Sequence, residues 1–386
     1  MGLDPLLRAA AAGADPVRVA LPFGTPCWLV TGHAQVRRVL SGAEFDRTTI
    51  DIAEIPRTTE ESMLVPGTLS CLSGADHQRQ RKLLMPHLQA GPVRALHGRI
   101  EEIAQGLITD IVAADGPVDL VAEYCNPLAM RVFCEMFGVP FEDCDQLAEW
   151  TTQLLSYEAG SRIRQRAGVA TARYLYERVE RGEYAEGSLL ATLVAACGRD
   201  EVSFGDMLSL AVSVVLAGFE TTSHVLAKFL YRLLTDERLA NDLARDGVAM
   251  DRAVEELLRV TNFAGGEMLP YRAAVDVVFG SVTIRAGEYV VPAIGSANMD
   301  PAAFPEPDRI DIDRSRNPHL SFGFGTHFCA GAPLARAELA IGLAVFLRSP
   351  LRDYTISADG LAWETESILW PIRALVAAPR AGSVVR

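Results

Sequence analysis

The run from Ala332 to Phe346 sets apolar residues at helical spacing, and Met250 to Val260 does the same, so both are predicted as amphipathic helices. From Ser203 to Leu234 the chain is largely apolar and free of proline for about nine turns at 3.6 residues each. That pattern predicts one long helix crossing the core, opened by Ser203 and Asp206 in the spacing of a capping box. Three short runs rich in apolar and β-branched residues predict strands: Trp28 to Thr31, Ser281 to Ile284 and Tyr289 to Val291. The longest apolar segment, Leu208 to Phe219, is too short to span a bilayer and is interrupted by Ser209, Ser213 and Gly218. No linker-like tract or internal repeat divides the chain, so residues 1–386 are read as a single domain.

Composition narrows the possibilities. Hydrophobic residues make up 49% of the chain, enough for a large core, while a net charge of −13 argues against nucleic acid or an anionic membrane as a bulk partner. Met1 to Gly13 carries Asp4, Pro5 and Arg8 and has the pattern of neither a signal peptide nor an anchor. Seven cysteines, at 27, 71, 125, 134, 144, 197 and 329, form no disulfide framework. The expectation is a cytoplasmic monomer.

One of those cysteines stands apart. Cys329 lies in Phe322-Gly323-Phe324-Gly325-Thr326-His327-Phe328-Cys329-Ala330-Gly331, a glycine-rich loop that opens onto the predicted Ala332 helix. Glycines at 323, 325 and 331 allow turns and close approach of a large planar ligand, and the helix N-terminus favours the thiolate. A lone cysteine is ordinarily a small buried hydrophobe, and a zinc site needs ligands that this neighbourhood lacks beyond His327. Within the long helix, Thr221 follows Ala217 by four residues, so its hydroxyl is placed to draw the Ala217 carbonyl out of the helix ladder, with Gly218 easing the opening. Glu220 is its acidic neighbour.

The ten-residue loop resembles the haem-binding loop of the cytochrome P450 superfamily. Ala217 to Thr222 resembles that family's acid–alcohol segment, Glu256 and Arg259 its Glu-x-x-Arg pair, and His77 and Arg81 its His-x-x-x-Arg helix. The resemblance runs in the family's order from about Ala20 to about Val376. It implies a mainly α fold with small β-sheets, built around a long distal helix and a cysteine-ligand loop. It also implies haem b on the thiolate of Cys329, with Phe322 and Gly331 in the binding loop and His77, Arg81, Arg272 and His327 on the propionates. Arg272 precedes a strand one residue shorter than the family pattern. Glu220 and Thr221 are assigned to proton delivery, and Glu256, Arg259 and Arg309 to a structural triad. The loop from Ile55 to Leu69, with Phe219, Met268, Leu269 and Ile368, is assigned to a mainly apolar substrate pocket.

The implied activity is a monooxygenase that uses O2 and two electrons to oxidise a hydrophobic natural product. No flavin, dinucleotide or iron–sulfur fingerprint is present, so a ferredoxin and its reductase are expected as donors, docking near Arg79, Lys82 and Arg336. Oxidative coupling of aromatic substrates is the alternative chemistry. A non-catalytic haem sensor or electron carrier is the alternative from another class, and it has no need of Glu220 and Thr221. Two departures from the family stand away from the chemistry: Met299 where arginine is common, and Ile368 to Pro371 in place of a common Arg-Gly.

Overall fold

The computed structural model describes residues 15–380 except 43, 52, 59–66, 157–159, 246, 262–268, 365–366 and 368. Met268 and Ile368 therefore lie outside the described residues, as does most of the Ile55–Leu69 loop. Contacts group the chain into two compact units, residues 1–82 with 255–330 and residues 83–254 with 331–386. Among the described residues ten strands follow in chain order: β1 (Val17–Val19), β2 (Cys27–Val30), β3 (Phe45–Asp46), β4 (Val118–Asp119), β5 (Tyr271–Ala273), β6 (Val277–Phe279), β7 (Val282–Ile284), β8 (Tyr289–Pro292), β9 (Thr355–Trp363) and β10 (Ile372–Ala378). The three predicted strands correspond to β2, β7 and β8 within a residue at each end.

The first unit is organised by a five-stranded sheet in the order β1-β2-β8-β5-β3. β8 is buried along its whole length, which suits an inner strand of apolar and aromatic residues. Successive residues of a strand point to opposite faces, and here the two faces feed two cores. Tyr271, Ala273 and Val290 join Phe45, Phe279 and Leu320 on one side, while Tyr289 and Val291 join Cys27, Leu29 and Ile55 on the other.

Below this sheet the chain from 298 to 324 is almost without regular structure, and charge holds it in place. Arg259 grips Glu256 through both carboxylate oxygens, Nε to Oε2 at 2.8 Å and Nη2 to Oε1 at 2.7 Å, and both side chains are 0% exposed. The same guanidinium donates to the carbonyls of Asn298, Pro307 and Arg309 at 3.1, 2.8 and 3.1 Å. Glu256 also accepts from Arg314 Nε at 3.0 Å, Asn317 Nδ2 at 3.1 Å and the Asp311 backbone N–H at 2.9 Å. The third charged member is therefore Arg314, not Arg309 as expected. The Arg309 side chain is exposed and pairs with Glu306 at 3.3 Å, and only its backbone carbonyl takes part in the network.

The second unit is helical. Ala90–Ala114, Asn126–Phe137, Glu220–Thr235 and Ala332–Arg348 pack on one another around leucine, isoleucine and phenylalanine side chains. Gly342 lets two helices close in, because a Cβ there would stand 2.8 Å from Leu128 Cδ2, and its carbonyl accepts from the buried Tyr124 hydroxyl at 2.6 Å. A three-stranded sheet, β4-β10-β9, completes this unit, and Cys134 and Cys144 are joined in a disulfide that the scattered cysteines did not announce. Phe204–Thr235 is long and apolar enough by composition to cross a membrane, but 56% of its most apolar stretch is buried inside the protein, as in a core helix.

Removing one member of a buried ion pair leaves its partner charged and uncompensated, at a cost of about 3 to 5 kcal/mol. Glu256→Ala is accordingly expected to lower stability by about that much in denaturant or thermal unfolding. Arg309→Ala should stay within about 0.5 kcal/mol of the parent, as an exposed substitution does.

Candidate functional site

The residues singled out by the sequence fall into one cluster in each unit. In the first unit the loop 322–331 is shaped by local backbone bonds. Gly323 N–H donates to the Leu320 carbonyl at 2.7 Å, Phe328 N–H to Gly325 at 3.1 Å, and Cys329 N–H to Phe322 at 2.9 Å. Gly323 and Gly325 have φ of +71° and +72°, the left-handed region that favours glycine. Gly325 is required twice over, because a Cβ there would lie 2.7 Å from the Leu40 carbonyl oxygen. Gly331 has φ −80° and serves as N-cap of the Ala332–Arg348 helix, so its backbone places no such demand. Phe322 is half-buried between His319 and Phe328.

Cys329 is exposed at the mouth of this loop. The contrast with the other cysteines is chemical. Burial pushes the Cys27 thiol up to about 11 and raises Cys71 and Cys125 as well, which keeps all three protonated. Among the described residues no three histidine, cysteine or acidic side chains converge on a metal site, so a multi-ligand zinc centre gains no support.

Beside the loop lies a group of histidine and arginine side chains. The His77 and His327 rings meet edge to face at 4.7 Å, and Tyr271 stands 6.5 Å from His327. The guanidinium of Arg47 lies over the Tyr271 ring at 4.0 Å. His77 is 2% and Arg47 5% exposed, and His77 Nδ1 and Arg47 Nε have no hydrogen-bond partner among the described residues. Burial, with Arg47, His77 and Arg81 adding repulsion, lowers His327 to about 3, and burial followed by Arg81 lowers His77. Among the described residues no carboxylate pairs with Arg47 or Arg81. A buried guanidinium with an unmet donor calls for an anion, and the two propionates of a haem supply such groups. Together with an exposed thiol in a glycine-turned loop, these residues fit that group.

Arg272 is not brought into this cluster. It donates to the Thr49 and Gly287 carbonyls at 2.9 and 3.1 Å, beside Tyr289. Arg47 and Tyr271 were missed by the sequence reading. Phe45 and Arg47 share one parity along the chain, as do Tyr271 and Ala273, and that alternation was the available signal.

In the second unit the long apolar run is two helices, Phe204–Gly218 and Glu220–Thr235, with the break at Phe219 (φ −127°, ψ −43°). Thr221 Oγ1 donates to the Ala217 carbonyl at 2.9 Å, the back-bond expected from the four-residue spacing, and this removes the carbonyl from the ladder where the helix parts. Ser203 accepts from the Asp206 N–H and so caps the first helix. The Phe219 ring is 4% exposed and leans on Phe133 at 5.6 Å, which stacks on Phe137. Its described aromatic neighbours thus belong to the Asn126–Phe137 helix. Leu269, the other described pocket residue, packs half-buried against the cluster of Cys27, Ile55 and Tyr289.

Three buried titratable groups line the second helix at four-residue intervals: Glu220, His224 and Lys228. Glu220 Oε1 accepts from Thr152 at 3.2 Å and lies 3.8 Å from His224 Nε2, while Oε2 has no partner among the described residues. Burial raises the Glu220 carboxyl to about 7, lowers His224 to about 3, with Lys228 adding to the shift, and lowers Lys228 to about 8. A carboxyl at about 7 exchanges its proton near neutral pH, which is the property an acid needs to deliver protons repeatedly.

Residues 248–349 match the family model described as "Cytochrome P450". Across 360 residues the chain is 38% identical to the mycinamicin IV hydroxylase/epoxidase of Micromonospora griseorubida, covering 92% of this chain and 90% of that protein. This chain belongs to the cytochrome P450 family. The structure of this P450 superposes on that of HinD with NMFT and NO at a TM-score of 0.91, with 34% identity over 97% of this chain and 95% of the other. It superposes on P450mel 107F1, described with biaryl coupling reactivity, at 0.90, with 27% identity over 98% of this chain and 96% of the other. The expected mainly helical fold with small sheets is thus the P450 fold, and the protein is a P450 monooxygenase.

Glu220 has a higher proton affinity folded than unfolded, so it favours the folded state below its ordinary value near 4.5 and that contribution is lost as pH rises through about 7. A difference of that size corresponds to roughly 3 kcal/mol. Glu220→Gln is expected to melt higher than the parent at pH 8, with the gap closing toward pH 5, measured by parallel thermal unfolding across that range. A gap independent of pH would locate the raised carboxyl elsewhere.

Proposed function

We propose that this P450 inserts one oxygen atom from O2 into a hydrophobic natural product, with haem b held by Cys329. The observation that carries this reading is the exposed Cys329 thiol in a loop turned by Gly323 and Gly325, two residues from His327, whose ring meets that of the buried His77. When bound, haem supplies the activation of O2, with the thiolate donating electron density to the iron. Phe322 and Gly331 flank the ligand within the loop, and His77, Arg81 and His327 hold the propionates. Thr221 offers its hydroxyl at the helix opening to position a water, and Glu220 passes protons toward it. Glu256 and Arg259, with Arg314, fix the stretch that leads into the loop.

The relative described as a mycinamicin hydroxylase/epoxidase supports oxygen insertion into a natural product of this kind. The neighbour with biaryl coupling reactivity supports a second reading, coupling of two aromatic rings. Product mass separates them: insertion adds one oxygen, whereas coupling gives a dimer two hydrogens lighter than its parts. The pocket assignments to Phe219, Met268, Leu269 and Ile368 belong to the same reading. A ferredoxin and its reductase are proposed as the electron source, docking on the exposed Arg79 side of the Gly74–Leu88 helix. We further read residues 1–386 as one catalytic domain acting as a monomer, because each unit is assembled from two separated segments of chain. A cytoplasmic location follows from the cysteine scatter, with the Cys134–Cys144 disulfide as the observation against it.

Reduction of the purified protein under carbon monoxide should give the strongly red-shifted Soret band of thiolate ligation, and Cys329→His should abolish it. An unshifted band in the parent rejects the reading. Thr221→Ala is expected to retain haem and substrate while diverting reducing equivalents to peroxide, so that product per electron pair falls. Unchanged coupling would assign the water-positioning role to another group.

A further inference from the structure

We infer that Arg47, seated on Tyr271, holds a haem propionate in this chain, in the place the family pattern would give to Arg272. The inference rests on the haem reading above and begins with the pairing of two short strands. In β3 and β5, Phe45 lies opposite Ala273 and Asp46 opposite Arg272. Continuing that register sets Arg47 against Tyr271, on the face that Phe45 and Ala273 share. Asp46 reinforces this, because its Oδ1 accepts from the backbone N–H groups of Thr48 and Thr49 and bends the chain just beyond Arg47.

The two arginines then meet different fates. Arg272 projects to the opposite face, where Thr49 and Gly287 carbonyls satisfy it, and Gly287 leaves room for the guanidinium, since a Cβ there would be 3.4 Å from Nη2. Arg47 is buried on the Tyr271 face with, among the described residues, one hydrogen bond, Nη2 to the Leu269 carbonyl at 3.3 Å, and an Nε that has no partner. A guanidinium has five N–H donors, and burial makes each unmet one costly. Stacking on the Tyr271 ring orients the fork without satisfying it. His77 Nδ1 is also without a partner among the described residues, and its ring meets that of His327, which the charge of Arg47 reaches. Arg47 and His77 therefore flank the same imidazole, and a carboxylate at that point answers the guanidinium and, in the tautomer protonated at Nδ1, His77 as well.

The test is haem retention, not turnover. Haem is transferred from purified holoprotein to an excess of apomyoglobin for the parent, Arg47→Ala, Arg47→Lys and Arg272→Ala. Arg47→Ala is expected to lose haem about tenfold faster, as loss of one charge-assisted hydrogen bond implies. Arg47→Lys should fall between, and Arg272→Ala should match the parent. A second arm repeats the comparison with haem dimethyl ester, whose propionates carry no charge. The difference between parent and Arg47→Ala should then collapse, whereas a merely structural role through Tyr271 would leave it intact and overturn the inference. Faster loss from Arg272→Ala with Arg47→Ala unchanged would overturn it as well. If Arg47→Ala does not fold, Arg47→Gln takes its place in both arms. A parent that binds no haem rejects the family reading itself, and the inference falls with it.

Discussion

The Glu256 carboxylate is the fixed point of the first unit. It is fully buried and accepts from Arg259, Arg314, Asn317 and the Asp311 backbone, so its charge is spread over donors that arrive from a helix and from the irregular stretch after residue 298. Arg259 in turn collects three carbonyls from that stretch. A segment with almost no ladder of its own thus has three of its carbonyls and one N–H satisfied by one ion pair, in the accounting that every buried polar group demands. The order passes on toward the loop. Asn298 accepts from the Leu320 N–H and donates to Ser321, Ser321 donates to the Leu258 carbonyl, and Leu320 accepts from Gly323. Cys329 owes its place to charges far from it in sequence.

The second unit solves a different problem. An apolar helix is a poor place for an acid, yet Glu220 sits 8% exposed where one helix ends and another begins. The first turn of a helix has N–H groups without intrahelical partners, and negative charge is tolerated there. Burial still dominates, and it is the reason the carboxyl titrates near neutrality instead of as an ordinary surface acid. His224 and Lys228 face the same penalty with the opposite sign, so that all three groups of the stripe are pushed toward their neutral forms.

What could be read from the chain was what depends on near neighbours. The turn of the cysteine loop is written in Gly323 and Gly325, and the opening of the long helix in the four-residue spacing of Ala217 and Thr221. Glu256 and Arg259 share a helix face and could be paired by counting. The readings failed where partners come from afar or periodicity is missing. Arg309 and Arg314 both lie in the unpatterned stretch, and nothing local tells which turns inward. Arg47 depends on the pairing of β3 with a strand more than 200 residues later, and a shift of one residue there exchanges Tyr271 for Arg272.

Gly325 meets the backbone at Leu40 and Ser41, not their side chains. The His33–Ser41 helix therefore acts as a template whose message is position alone. The exposed side chain at 41 is free to drift without disturbing the cysteine loop, whereas Leu40 is held by the core against which Phe324 packs. A lineage of such proteins would record this contact in one column only, as an invariant glycine opposite a variable helix end.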